Sequence, residues 1–254
     1  MVEVSTSILS VKKGEESKTF FALEAAKTDY FHIDVMDGKF VEKDTYQTML
    51  EYASYIRRIS NAPLDVHLMV EDIKKAVDDF SAVEPNIITF HLEACKDEQE
   101  VMETINYIKQ NNCKVGIAVK PNTSIEEVYQ YLPYIHMCLV MTVEPGKGGQ
   151  TYLSEMTEKV KTLKKYIDEN QLEIDIEVDG GINLRTAPEV KKAGANILVA
   201  GTAILSAVDY KVIIDELKCP IGDVSFWDIY LLSLTSYITY YIIDIPRWLE
   251  MCCV

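Results

Sequence analysis

Four histidines serve the whole chain of 254 residues, and none of its 6 cysteines stands in a Cys-x-x-Cys pair. The first scarcity means that any metal site using imidazole draws on a short roster. The second excludes the common zinc and dithiol motifs, leaving Cys95, Cys113, Cys138, Cys219, Cys252 and Cys253 as buried or incidental thiols of a reducing cytoplasm. Positive charge is short as well: 25 Lys and Arg against 40 Asp and Glu give a formal net charge of −15. That argues against nonspecific nucleic-acid binding and against an anionic membrane surface. It does not exclude a phosphorylated substrate, because a site can be locally positive on an acidic protein. No basic-then-apolar signal opens the chain at Met1-Val2-Glu3-Val4-Ser5. No Gly-x-Gly-x-x-Gly fingerprint follows the first candidate strand, which weakens a dinucleotide-binding open sheet. No Asp-x-Lys-x-x-Asp pattern ends a strand and no Schiff-base lysine stands out within one, which counts against a decarboxylase or aldolase.

What is there alternates. Short β-type runs (Val4 to Leu9, Tyr30 to Met36, Leu64 to Val70, Asn86 to His91, Val115 to Lys120, Met137 to Val143, Ile174 to Asp179, Ile197 to Ala200) are separated by charged segments of helical period. Those helices are expected over Glu15 to Lys27, Tyr46 to Arg58, Asp72 to Phe80, Glu98 to Gln110, Ser124 to Tyr131, Leu153 to Glu169, Leu184 to Ala193 and Ala203 to Leu217. Alternation of this kind implies parallel strands joined by right-handed crossovers. The fold class expected is α/β, a (β/α)8 TIM barrel over residues 1–218, with an atypical apolar C-terminal tail over 219–254. Within that tail Ile229 to Ile243 is apolar but shorter than the ~18–20 residues that a membrane helix needs. A packed helix or an interface between copies fits it better than a membrane span, and a homo-oligomer is expected.

The run Phe31-His32-Ile33-Asp34-Val35-Met36-Asp37-Gly38 combines a buried strand with an imidazole and a carboxylate two residues apart. On a strand His32, Asp34 and Met36 share one face, and Ile33 and Val35 the other. His67 and Met69 repeat the pairing one strand later, and Asp175, Glu177 and Asp179 share a face of the seventh strand. His32, Asp34, His67 and Asp179, each at a strand end, form a plausible shell for one divalent metal ion (Zn, Fe, Mn or Co). Met36, Met69 and Met141, also near strand ends, are candidates for an apolar lid. Glu144-Pro145-Gly146-Lys147-Gly148-Gly149-Gln150, Gly180-Gly181 and Gly201-Thr202 follow the sixth, seventh and eighth strands. Closely spaced glycines let backbone N–H groups approach an anion, and barrels frequently bind phosphate there. His91 is expected beside the site or as a structural residue, and His136 at the opposite end of the barrel.

Taken together, Ser7-Ile8-Leu9-Ser10, His32 to Gly38, His67-Leu68-Met69-Val70, Val143 to Gln150, Glu177 to Gly181 and Val199-Ala200-Gly201-Thr202 resemble the ribulose-phosphate 3-epimerases. The resemblance runs in order from Val4 to Leu217. It implies a cytoplasmic, metal-dependent enzyme of the pentose phosphate pathway that converts D-ribulose 5-phosphate to D-xylulose 5-phosphate through an enediolate. By that resemblance His32, Asp34, His67 and Asp179 are metal ligands, and Asp34 and Asp179 are the catalytic pair that exchanges the C3 proton on opposite faces. Ser7 and His67 are expected to contact the sugar. Gly146, Lys147, Gly148, Gly149, Gly180, Gly181, Gly201 and Thr202 are expected to hold the phosphate end. Three positions depart from the family pattern: Phe40-Val41-Glu42-Lys43-Asp44-Thr45 replaces a Phe-Val-Pro-Asn loop, Lys147 a phenylalanine, and Thr6 a proline. The altered loop leaves open a D-allulose-6-phosphate 3-epimerase, and a non-catalytic barrel docked by its tail is the alternative from another class.

Overall fold

The computed structural model of the protein describes residues 2–220. The apolar run Ile229 to Ile243, and with it nearly all of the expected tail, lies outside the described residues. Eight parallel strands close into a barrel in chain order. They are β1 (Glu3–Ser7), β2 (Tyr30–Met36), β3 (Leu64–Met69), β4 (Ile87–His91), β5 (Lys114–Val119), β6 (Met137–Met141), β7 (Asp175–Asp179) and β8 (Ile197–Ala200). The helices between and after them are α1 (Glu16–Ala25), α2 (Tyr46–Ile59), α3 (Ile73–Ser81), α4 (Glu98–Gln110), α5 (Met156–Glu169), α6 (Ala187–Ala193), α7 (Thr202–Leu205) and α8 (Tyr210–Lys218). Among the described residues, no helix is long and apolar enough to cross a membrane.

Period-two alternation sorts the strand residues into two shells. Phe31, Ile33 and Val35 of β2, Val66 and Leu68 of β3, Ile88 and Phe90 of β4 and Val115, Ile117 and Val119 of β5 belong to one large apolar core with the helices. The helices meet it with stripes of matching period: Met49, Ala53 and Ile56 on α2, Val101, Ile105 and Ile108 on α4, Val160, Leu163 and Ile167 on α5. The opposite strand faces fill the barrel interior. There, small apolar groups (Ile87, Met137 and Ile197 together, Ala118, Leu139, Met141 and Val143 together) flank a column of buried polar side chains.

Local chemistry accounts for where the structure departs from the expected boundaries. The segment after β5 is a 3-10 helix, Ile125–Tyr134, rather than an α-helix. It holds Pro133, which has no N–H to extend an α-ladder. The final helix is two. Asp209 Oδ1 accepts the N–H groups of Lys211 (2.9 Å) and Val212 (3.3 Å), and so opens α8 as a new helix. β1 stops at Ser7 because the chain turns, with the Val11 N–H bonded to the Ile8 carbonyl.

One glycine is dictated by the interior. Gly116 of β5 pairs with Thr89 of β4, and a Cβ there would lie 2.2 Å from Thr89 Oγ1. Gly116→Ala should therefore destabilise the barrel by about 1–3 kcal/mol in denaturant unfolding. Adding Thr89→Ala should recover most of the loss; additive effects would show that the clash is not the cause.

Candidate active site

The register of β2 against β3 sets the site. His32 pairs with Asp65, Asp34 with His67 and Met36 with Met69, so three successive levels of the interior each carry one residue from either strand. β7 supplies Glu177 and Asp179 across the barrel. The result brings His32, Asp34, His67 and Asp179 together, with one ligand atom from each lying within 4.8 Å of the others. His32 Nε2 is 3.4 Å from Asp34 Oδ1 and 3.9 Å from Asp179 Oδ2. His67 Nδ1 is 3.6 Å from Asp34 Oδ1 and 3.7 Å from Asp179 Oδ2. Those separations are too long for hydrogen bonds, and both imidazole nitrogens are buried without a partner. Ligand atoms about 2.0–2.1 Å from a tetrahedral zinc-like ion stand about 3.4 Å apart, so the four donors fit a divalent cation.

The other side-chain polar atoms of His32, Asp34 and His67 meet protein partners. Ser7 Oγ donates to Asp34 Oδ2 at 2.7 Å, and Asp65 Oδ2 accepts from His32 Nδ1 at 2.5 Å and from Ser5 Oγ at 2.7 Å. Thr45 pins the end of β2, its hydroxyl donating to the Asp34 carbonyl at 2.6 Å. His67 Nε2 is 2.9 Å from His91 Nε2, and His91 Nδ1 is 3.2 Å from Glu93 Oε2.

The two carboxylates are driven apart in acidity. Burial alone would raise Asp34, but the adjacent His32 and His67 imidazoles hold it well below the usual carboxylate range. Burial, then the charge of Asp34, pushes Asp179 up to about 6. Burial disfavours the charged form of His32, but Asp65 and Asp34 outweigh it and raise its pKa. Glu177 is raised by burial and by Asp65, and Asp65 is lowered, burial notwithstanding, by His32.

Above the cluster, where the strands end, opens a cavity of about 280 Å³. Ser7, Asp34 and Asp179 line its base, Met36, Met69 and Met141 its apolar wall, and Gly146 to Gly149, Gly180, Gly181, Gly201 and Thr202 its far end. His32 and His67 lie beneath it, fully buried. Of the two residues expected at the sugar, Ser7 reaches the cavity and His67 does not line it. The glycine turns are close-fitting. A Cβ on Gly180 (φ +125°) would meet Val143 N at 2.8 Å, and one on Gly181 (φ +67°) would meet Tyr152 N at 2.5 Å. Lys147 lines the same end and is exposed. Gln150 Nε2 braces its loop by donating to the carbonyls of Glu144 (2.6 Å) and Lys147 (2.8 Å).

The departures from the family pattern fall differently. Thr6 points out of the barrel, its hydroxyl 2.7 Å from that of Thr28, away from the cavity. The loop after β2 is organised by Asp37. Its Oδ1 accepts from Lys39 N and Phe40 N at 2.9 Å each, and its Oδ2 accepts from Glu71 N at 2.8 Å. His136, expected at the opposite end, accepts there from Val115 N at 3.1 Å. Two interior residues went unread in the sequence. Asp65 shares the parity of His67 and could have been found by it. Glu93 sits in the 3-10 turn Leu92–Ala94 after β4, where no strand parity applies.

A closed (β/α)8 barrel with a cavity over a buried His2Asp2 cluster defines an enzyme whose chemistry is confined to the C-terminal rim of its strands. The Ribulose-phosphate 3 epimerase family model matches residues 3–205. A ribulose-phosphate 3-epimerase of Methanocaldococcus jannaschii is 38% identical over 218 residues, 86% of this chain and 90% of that one. Those of Escherichia coli (35% identical, covering 87% of this chain and 97% of that one) and Bacillus subtilis (36%, 86% and 99%) are similar over comparable spans. The chain therefore belongs to the ribulose-phosphate 3-epimerase family, and is an isomerase acting on carbohydrate phosphates, with epimerase activity on pentose phosphates. Among solved structures, KGPDC from Streptococcus mutans aligns with a TM-score of 0.65 at 12% identity over 88% of this chain and 100% of that one. A 3-hexulose-6-phosphate synthase aligns at 0.62 and 15% identity over 85% and 98%. At those identities the likeness is one of fold.

Because Asp179 holds a proton up to about pH 6 in the metal-free protein, and ligation requires the bare carboxylate, protons should compete with the metal. Co²⁺ affinity, measured by chelator competition, should fall as the pH falls, because His32, whose pKa is raised, and Asp179 must both release protons, and should fall more steeply below about pH 6. A flat profile down to pH 5 would contradict that assignment of Asp179.

Proposed function

We propose that this chain interconverts D-ribulose 5-phosphate and D-xylulose 5-phosphate by proton transfer at C3 between two carboxylates, as a step of the pentose phosphate pathway. The observation that carries the reading is the pair Asp34 and Asp179. They converge on the same two unpartnered imidazole nitrogens, line one cavity, and have environments that push their acidities in opposite directions.

Asp34, kept ionised by the imidazoles and oriented by the Ser7 hydroxyl, takes the C3 proton from one face of the substrate. Asp179 delivers a proton to the other face, inverting the centre, and the roles exchange in the reverse direction. A single base would return the proton to the face it left. A divalent ion held by His32, Asp34, His67 and Asp179 supplies positive charge against the negative charge that develops on the substrate oxygens as C3 loses its proton. Zn²⁺, Fe²⁺, Mn²⁺ and Co²⁺ all suit two imidazoles and two carboxylates. Met36, Met69 and Met141 place polarisable apolar surface against the reacting carbon and keep water from the enediolate. Gly146 to Gly149, Gly180, Gly181, Gly201 and Thr202 receive the phosphate at the far end, with Lys147 adding a cation where the family pattern has an aromatic ring.

In D₂O the metal-loaded wild type should form D-xylulose 5-phosphate carrying deuterium at C3. Asp34→Asn and Asp179→Asn should each lower kcat/KM by about 10²–10⁴-fold. Failure of the metal-loaded wild type to exchange C3 hydrogen would refute the pentulose assignment, and D-allulose 6-phosphate would then be the substrate to assay. Lys147→Met should raise KM while leaving kcat nearly unchanged, since a contact at the remote phosphate acts on ground and transition states alike.

A further inference from the structure

The two imidazoles of the cluster address it through different ring nitrogens, Nε2 of His32 and Nδ1 of His67. A neutral imidazole carries one proton on one nitrogen, so each ring must be held in the tautomer that leaves the correct nitrogen bare. For His32 the agent is direct: the Asp65 carboxylate accepts from Nδ1. For His67 no carboxylate is within reach of Nε2. Its neighbour is another imidazole, His91 Nε2 at 2.9 Å.

Which of these two nitrogens donates is decided one step further out. His91 Nδ1 faces Glu93 Oε2 at 3.2 Å, and a carboxylate only accepts. The proton of His91 therefore sits on Nδ1, and its Nε2 presents a lone pair. His67 Nε2 must then carry the proton, which strips Nδ1 and aims its lone pair at Asp34 and Asp179. That Nδ1 is one of the buried nitrogens without a partner. The far end of the chain is fixed by backbone: Glu93 Oε1 accepts from Lys120 N at 2.7 Å and from the Thr123 hydroxyl. The two imidazoles of the relay, His67 and His91, are fully buried, with the Phe40 ring lying 4.9 Å from the His91 ring, while Glu93 is partly exposed.

We propose that His91 and Glu93 are positioning residues that lock His67 in its Nε2–H tautomer and so make Nδ1 a ligand. The inference rests on the reading of His32, Asp34, His67 and Asp179 as a metal site. His91 and Glu93 touch neither that centre nor the cavity; they act through His67.

The test uses the full-length protein with Co²⁺ as probe. Affinity is measured by chelator competition, and ligand geometry by the visible absorption of the bound ion. His91→Leu, which removes the acceptor, should weaken Co²⁺ binding by about 10–100-fold and alter the spectrum. His91→Gln, whose amide oxygen can still accept from His67 Nε2, should recover part of the affinity and the wild-type band positions. Glu93→Gln keeps the volume and should shift affinity in the same direction by less, which keeps the test decisive if the leucine variant fails to fold. Wild-type affinity and spectrum in the folded variants would overturn the relay while leaving the metal site standing. Absence of stoichiometric Co²⁺ binding by the wild type would instead overturn the metal site itself, and the relay with it.

Discussion

The ionisable side chains of His32, Asp34, Asp65, His67, His91 and Glu177 lie within the barrel at 4% exposure or less. Taking such groups out of water costs several kcal/mol each unless partners replace the lost hydration. Much of the interior answers that constraint. Serines rather than aliphatics occupy the inner face of β1 because Asp34 and Asp65 each need a hydroxyl donor. Asp65 stands beside His32 because an imidazole surrounded by carboxylates needs its second nitrogen satisfied. Among the atoms left over after this pairing are one nitrogen on each of two imidazoles, which is what a cation would require, and both carboxylate oxygens of Glu177.

The same constraint explains why the apolar core sits elsewhere. A barrel interior devoted to ionisable groups cannot supply the burial that stabilises a domain. That burial is carried by the shell between strands and helices, where Phe20, Phe31, Phe80 and Phe90 are fully buried. Inside, the small groups around Met137 and Leu139 fill the space left beside the polar column. Stability and chemistry thus occupy opposite faces of the same eight strands.

How far the sequence could be read follows from this division. The parity of β2 alone separates His32, Asp34 and Met36 from Ile33 and Val35, and the barrel follows from counting strand–helix units. The four members of the cluster were legible because each is an ionisable residue within a strand of a buried sheet. Asp65 was not read, although it shares the parity of His67, because its function depends on lying opposite His32, and register is a property of two strands together. Glu93 lies beyond its strand, and its bond to His91 depends on a 3-10 turn that leaves no period in the sequence. The helix after β5 was expected within a few residues of where it lies, whereas the break before α8 was missed because Asp209 opens a new helix there.

The interleaving of the two faces at every second residue has a consequence for how such a chain can change over evolutionary time. A substitution on one face leaves the other untouched, so the outer shell can be rewritten residue by residue without disturbing the acid–base pair. Insertion or deletion of a single residue within β2 or β7 has no such freedom. It would turn Ile33 or Val178 into the site and drive His32, Asp34 or Glu177 into the helix interface, exchanging the roles of both faces at once. Changes in length are therefore confined to the loops. The loop after β2 is tied through Asp37 Oδ2 to the backbone N–H of Glu71, just beyond β3.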